Sequence, residues 1–334
     1  MAIGRVSTYQ FNTSFAKQVN NTQSKFNKLS QQISSGKRVT SVTDDAVAAK
    51  GIIKANSQLA DIETYLANLK QADNELTQTD KTLGAINDKL QEAYDLAMTV
   101  ANGTNGEDQM NAYRQQLDSI IDSVTRLANT QYGDKYLFAG TNTTTEPYSL
   151  LETADATVDN AGLVYAGNDG ARYALVGQAK NELPDVISDE KKEQINFIGE
   201  EVFGQVKFTT DADGKVTIDD KNSSGAFAAL YKLKVALQSD PVDENAARAT
   251  MKNLDDSMSQ VTAARTKTGA LGQEFEDIQD AYANDTINIK QLRSNLEDTD
   301  LPSAVSDWYS TYQSLQASYQ MFSQTMNVSL LNYI

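Results

Sequence analysis

The stretch QQISSGKRVTSVTDDAVAAKGI, residues 31–52, sets Gly36 and two basic residues between two helix-like runs, and the second run opens on a pair of acids. A nucleotide loop would need a glycine five residues before Gly36, a Ser or Thr directly after Lys37, and a preceding strand. Those positions hold Gln31 and Arg38, and no strand-like run comes before them. Two ordinary helix signals account for the stretch instead. Gly36 takes the left-handed conformation that ends a helix. Thr43 caps the next helix, with Asp44 and Asp45 facing its positive end. The stretch is therefore a break between two long helices.

Outward from that break, apolar residues recur at steps of three and four. Before it run Phe11, Phe15, Val19, Phe26, Leu29 and Ile33; after it run Ile52, Ala55, Leu59, Ile62, Leu66 and Leu69. One three-residue step then leads to Ala72, Leu76, Leu83, Ile86, Leu90, Ala93, Ala97 and Val100, and NGTNG at 102–106 interrupts the run. A shorter helix carries Met110, Leu117, Ile120 and Val124. Near the other end, Met251 to Leu296 repeats the pattern with a three-residue step from Val261 to Ala264. The final helix carries Val305, Trp308, Tyr312, Leu315, Tyr319, Phe322, Met326 and Tyr333. Sustained 3-4 spacing is a coiled-coil signature, and three-residue steps are points of local overwinding. A helix from Asp44 to Ala101 would be about 87 Å long. The expected fold is mainly α: a long antiparallel coiled-coil or helix-bundle rod built from both chain ends, with an inserted β-rich domain.

The insert is read at residues 133–241, where LVYAG, RYALVG, VKFTT and KVTI alternate like strands and GAFAALYKLKVALQS reads as one short helix. The expected division is a terminal coiled coil over 1–43 and 297–334, a helical rod core over 44–132 and 242–296, and the insert between. TTDADGKVTIDD invites a calcium test, with Asp211, Asp213 and Asp220 at ligand positions around Gly214. Thr209 then stands at the first position, no Glu stands at the twelfth, and the flanks alternate like strands. A hairpin turn is the better account.

Composition narrows the chemistry. The chain has 29 basic and 45 acidic residues, a net charge of −16, which argues against nucleic-acid and anionic-membrane partners. It has no Cys and no His, which removes thiol nucleophiles, disulfides, zinc clusters and Ser-His-Asp triads. No catalytic, cofactor or metal constellation is expected, so an enzyme in the insert has no supporting residues. The start MAIGRVSTYQF has no apolar run fit for a cleaved signal, and no apolar span of membrane length occurs.

The two ends are chemically opposed. Residues 1–43 hold six basic side chains and no acid, whereas 294–334 hold four acids and no base. Opposite charge on two striped helices is what a mutual coiled coil shows. Residues 308–334 contain no charged side chain at all. A helix facing water normally carries charge on its outer face, so this one is expected to meet other protein. One seam between two helices returns less than the entropy lost in ordering about seventy residues. The ends are thus expected to be disordered in the free subunit and to order on assembly.

Several segments together resemble the flagellin superfamily: QISSGKRVTSVTDDAVAA at 32–49, LQEAYDLAMTVANGTNGEDQ at 90–109, ARTKTGAL at 264–271 and RSNLEDTDLPSAVSDW at 293–308. Within it, QYGDKYLFAGTNTTTEPY at 131–148 and the ending NVSLLNYI look more like the hook-filament junction branch than like filament flagellin. The resemblance implies an uncleaved, secreted chain that travels unfolded through a type III export apparatus, bound beforehand by an export chaperone. It implies a ring of identical subunits in the extracellular flagellum, between the adjacent hook-associated junction protein and flagellin. It also makes Gly36 to Thr43 a hinge between the terminal coil and the rod. One departure is Glu92, where flagellin-like chains carry an Arg that an innate immune receptor reads, which argues against that recognition here. The alternatives are filament flagellin itself, which the resemblance implies, and a secreted coiled-coil effector or tether.

Overall fold

A computed structural model describes residues 3–102, 106–151, 162–178, 190–210, 216–239 and 241–331. Most of them are helical. Helix α1 spans Ile3–Ser35, α2 Ala46–Asn102, α3 Glu107–Ala128, α4 Gly199–Phe203, α5 Gly225–Gln238, α6 Glu244–Glu297 and α7 Leu301–Leu331. The expected break between α1 and α2 is present, and α2 runs unbroken through its three-residue step. The chain divides into two compact units, residues 1–62 with 283–334 and residues 63–282.

The second unit is built on the 3-4 stripes. Leu69, Leu76, Leu83, Ile86, Leu90 and Val100 of α2 are buried with Leu117, Ile120 and Val124 of α3 and Leu254, Val261 and Phe275 of α6. Both three-residue steps stay inside, since Ala72 and Ala264 are buried in the same core. Thr79, Thr250, Ser257 and Thr268 share the buried stripe, and each hydroxyl donates to the carbonyl four residues earlier at 2.7–2.9 Å. That back-bonding lets hydroxyl side chains occupy core positions without an unpaired donor.

The β segments belong to this same unit. Strands β3 (Tyr148–Leu151), β4 (Gly162–Tyr165), β7 (Val206–Thr210) and β8 (Val216–Ile218) form an antiparallel sheet in that order. Strands β5 (Tyr173–Gln178) and β6 (Glu190–Gln194) pair separately, and β1 (Gln131–Tyr132) with β2 (Lys135–Tyr136) makes a small hairpin. The four runs read as strands and the short helix lie where the sequence puts them. The DADGK turn itself falls outside the described residues, although β7 and β8 pair on either side of it.

The insert and the helices share one core. Phe138, Tyr148, Phe203, Phe227 and Leu230 are buried in the same continuous cluster as the α2, α3 and α6 stripes. The Tyr148 ring lies tilted against Phe227 with centroids 4.6 Å apart, and its hydroxyl donates to the Gly204 carbonyl at 2.9 Å. Gly204 has a φ of 69°, and a Cβ there would meet the Ser224 carbonyl oxygen, so only glycine fits. The β5–β6 pair is fastened to the helices by polar contacts. Arg172 forms an ion pair with buried Glu75, Asn68 donates to the Leu175 carbonyl at 3.1 Å, and Tyr282 donates to the Val176 carbonyl at 2.7 Å.

Candidate assembly interface

In the first unit, α1 and α7 pack antiparallel. Phe15 stacks on Phe322 with centroids 5.9 Å apart, and Phe26 lies 5.3 Å from Trp308 and 6.0 Å from Tyr312. The Trp308 indole N–H donates to Ser30 Oγ at 2.8 Å, which satisfies its polar edge beside an apolar seam. The Tyr319 hydroxyl donates to Gln23 Oε1 at 3.2 Å.

This pairing sorts the sequence-derived interface residues into two groups. Ala304, Trp308, Thr311, Leu315, Ser318 and Phe322, at steps of four and three, line the seam against α1. Leu301, Val305, Tyr312 and Tyr319, at steps of four and seven, form a second stripe about a quarter-turn round the helix, with Tyr309 beside them; Tyr312 and Tyr319 reach the rim of α1 through Phe26 and Gln23. Val305 is 48%, Tyr309 57% and Tyr319 52% exposed. A helix with two apolar stripes and one partner has a face still to be covered. On α1, Leu29 is buried and Phe15, Val19, Phe26 and Ile33 are half-buried. The side chains of Phe11 and Met326, and all of Tyr333, lie outside the described residues. The pair holds little on its own: among the described residues from 10 to 35 and 301 to 324, only Leu29, Ala304, Thr311 and Leu315 are buried.

At the break, Gly36 has a φ of 71°, the left-handed helix stop that its neighbours required. The cap of α2 is Asp45, not Thr43. Asp45 Oδ1 accepts the N–H groups of Val47 at 3.1 Å and Ala48 at 3.0 Å, two of the donors that the first turn of α2 leaves without helical partners. Thr43 instead bonds sideways to the Ser41 hydroxyl at 2.6 Å. Asp44 turns back on the loop, where its Oδ2 accepts from the N–H groups of Thr40 and Ser41 and its Oδ1 meets Lys28 at 3.0 Å. Thr43, two residues farther from the helix and with a shorter side chain, cannot compete with Asp45 for those donors. Lys28 and then the turn amides hold the Asp44 carboxyl well below the usual carboxylate range. The Ala48 amide and then Arg38 lower that of Asp45.

Sequence reasoning missed Leu301 and Tyr309 of the second stripe, and Arg38 and Glu297 beside the break. The absence of charge after Asp307 was the available signal for the stripe. Among the described residues, no group of three or more carboxylates could hold a metal, and no helix is long and apolar enough to cross a membrane.

Comparison with known proteins gives this arrangement relatives. A family model of the bacterial flagellin N-terminal helical region matches residues 6–143, and one of the flagellin C-terminal helical region matches residues 251–334. Flagellar hook-associated protein 3 of Escherichia coli is 25% identical over 335 residues, covering 98% of this chain and 98% of its own. Polar flagellin B/D of Vibrio parahaemolyticus is 24% identical and covers 84% of this chain and 86% of its own. Among solved structures, the flagellar junction protein FlgL of Legionella pneumophila superposes with a TM-score of 0.54 at 14% identity, over 75% of this chain and 100% of that one. At that identity the likeness speaks to the fold alone.

Proposed function

This chain belongs to the bacterial flagellin family, and we propose that it is the structural subunit joining the hook-associated proteins to the flagellin filament. The observation that carries the reading is the end-to-end match to a hook-associated protein 3, over 98% of both chains. The half-covered α1–α7 pair supports it. A helix without charge after Asp307, with a second apolar stripe, suits a subunit whose ends are enclosed by copies of itself.

In this reading identical subunits form a ring, with the adjacent hook-associated protein on one side and flagellin on the other. The chain is secreted, and an export chaperone holds it beforehand. Beyond the break, residues 1–35 and 301–334 gain their order when neighbours cover the stripe of Leu301, Val305 and Tyr309. Labelling this chain on intact cells tests the position: signal at the hook end of each filament is expected, and signal along the filament would overturn it. Filament flagellin is the second reading, favoured by the match to polar flagellin B/D. Purified chain that polymerises alone into long filaments would establish it; the junction reading expects none.

A further inference from the structure

The break after α1 and the break before α7 meet each other, although about 260 residues of chain separate them. The Glu297 carbonyl, at the end of α6, accepts the N–H of Arg38 at 2.6 Å and that of Val39 at 3.4 Å. In return the N–H of Thr299 donates to the Gly36 carbonyl at 2.9 Å. Side chains repeat the exchange. Glu297, its side chain 14% exposed, meets Lys37 Nζ at 2.5 Å and Arg293 at 3.7 Å. The Arg38 guanidinium bridges Asp45 at 3.1 Å and the Leu296 carbonyl at 2.9 Å, so the cap of α2 and the end of α6 share one cation. Beneath them Val39, Ala48 and Ala49 are buried against Ile52 and Leu296.

Helix ends leave backbone groups without partners, and a loose joint would leave them to water. Here each break supplies the partners for the other. Separating them uncovers the Gly36 carbonyl and the Glu297 carbonyl at once, and exposes the small apolar cluster. We propose that the two breaks form a single ionic clasp, closed in the free subunit, so that α1 and α7 extend from one shared joint and not as two independent tails. Salt weakens the clasp, because its ion pairs lie at a partly exposed surface. The inference does not depend on ring formation and is tested on the free chain.

The experiment measures amide hydrogen exchange of Arg38 and Thr299 in the full-length monomer, in Lys37→Gln, Glu297→Gln and the double variant, at low salt and at high salt. Both amides are expected to be protected at low salt and to lose protection in step as salt rises. Each single variant is expected to speed both amides about two- to fivefold, the range of one partly exposed ion pair. The double variant is expected to be no faster than the faster single. Exchange at unprotected rates in the unaltered chain at low salt would show that no clasp exists. Faster exchange of Arg38 with Thr299 unchanged, or additive effects in the double variant, would show two independent tails. Because the unaltered chain alone gives the salt response, the test stands even if one variant folds poorly.

Discussion

At the scale of single residues, the break rests on Gly36 and on two carboxylates with different tasks. Nothing lies within 4 Å of a Cβ built on Gly36, so space is not what demands glycine. Its φ of 71° is. A side chain in that conformation costs about 1–2 kcal/mol, so Gly36→Val is expected to lower the thermal stability of the first unit more than Lys37→Ala. Equal melting of the two variants would show that the stop does not depend on glycine. The carboxylates set a pH response. Asp44 and Asp45 have folded pKa values below their unfolded ones, so the stability they supply is present above about pH 4 and is lost as pH falls through the folded values. The chain has no histidine, and no side chain with an ordinary pKa titrates between pH 5 and 8. Melting followed by circular dichroism is expected to be level from pH 8 to 5 and to fall only below about pH 4. A drop near pH 6 would point to a titrating group that the break does not contain.

At the scale of elements, α7 shows both what a sequence makes legible and what it withholds. The 3-4 spacing placed α7 and its apolar residues, but it could not separate Trp308 and Leu315 from Val305. All three obey the same spacing, and only the position of α1 decides which are covered. The capping residue was hidden for a similar reason: Thr43, Asp44 and Asp45 are all good caps, and one residue of helix register selects among them. The two stripes make a separable prediction. Val305→Ser with Tyr309→Ser changes exposed positions and is expected to leave monomer melting within about 0.5 kcal/mol while abolishing assembly. Sedimentation and motility check it. Assembly retained at full level would mean that the second stripe is not an interface.

At the scale of the whole molecule, the mostly helical fold and the β-rich middle were readable from periodicity, whereas their shared core was not. Phe138, Phe203 and Phe227 sit in segments whose texture differs from the helices, yet they are buried in one cluster with Leu83, Ile120 and Phe275. Local pattern reports which face is apolar and not what covers it. Excision of 133–241 with a short linker is expected to strip that cluster and reduce helical circular dichroism. A fully helical, cooperatively melting product would show that the helices hold a core without it. Neighbouring subunits are proposed to complete the α1–α7 pair. Trp308 is the only tryptophan in the chain and lies in that seam, against Phe26 and Tyr312. Acrylamide quenching of its fluorescence, in the free monomer and after co-assembly with hook-associated and flagellin subunits, tests the claim most directly. Quenching in the monomer is expected to be close to that of a free peptide of residues 301–316, with strong shielding after assembly. Trp308 already shielded in the monomer, with no change on assembly, would contradict the claim.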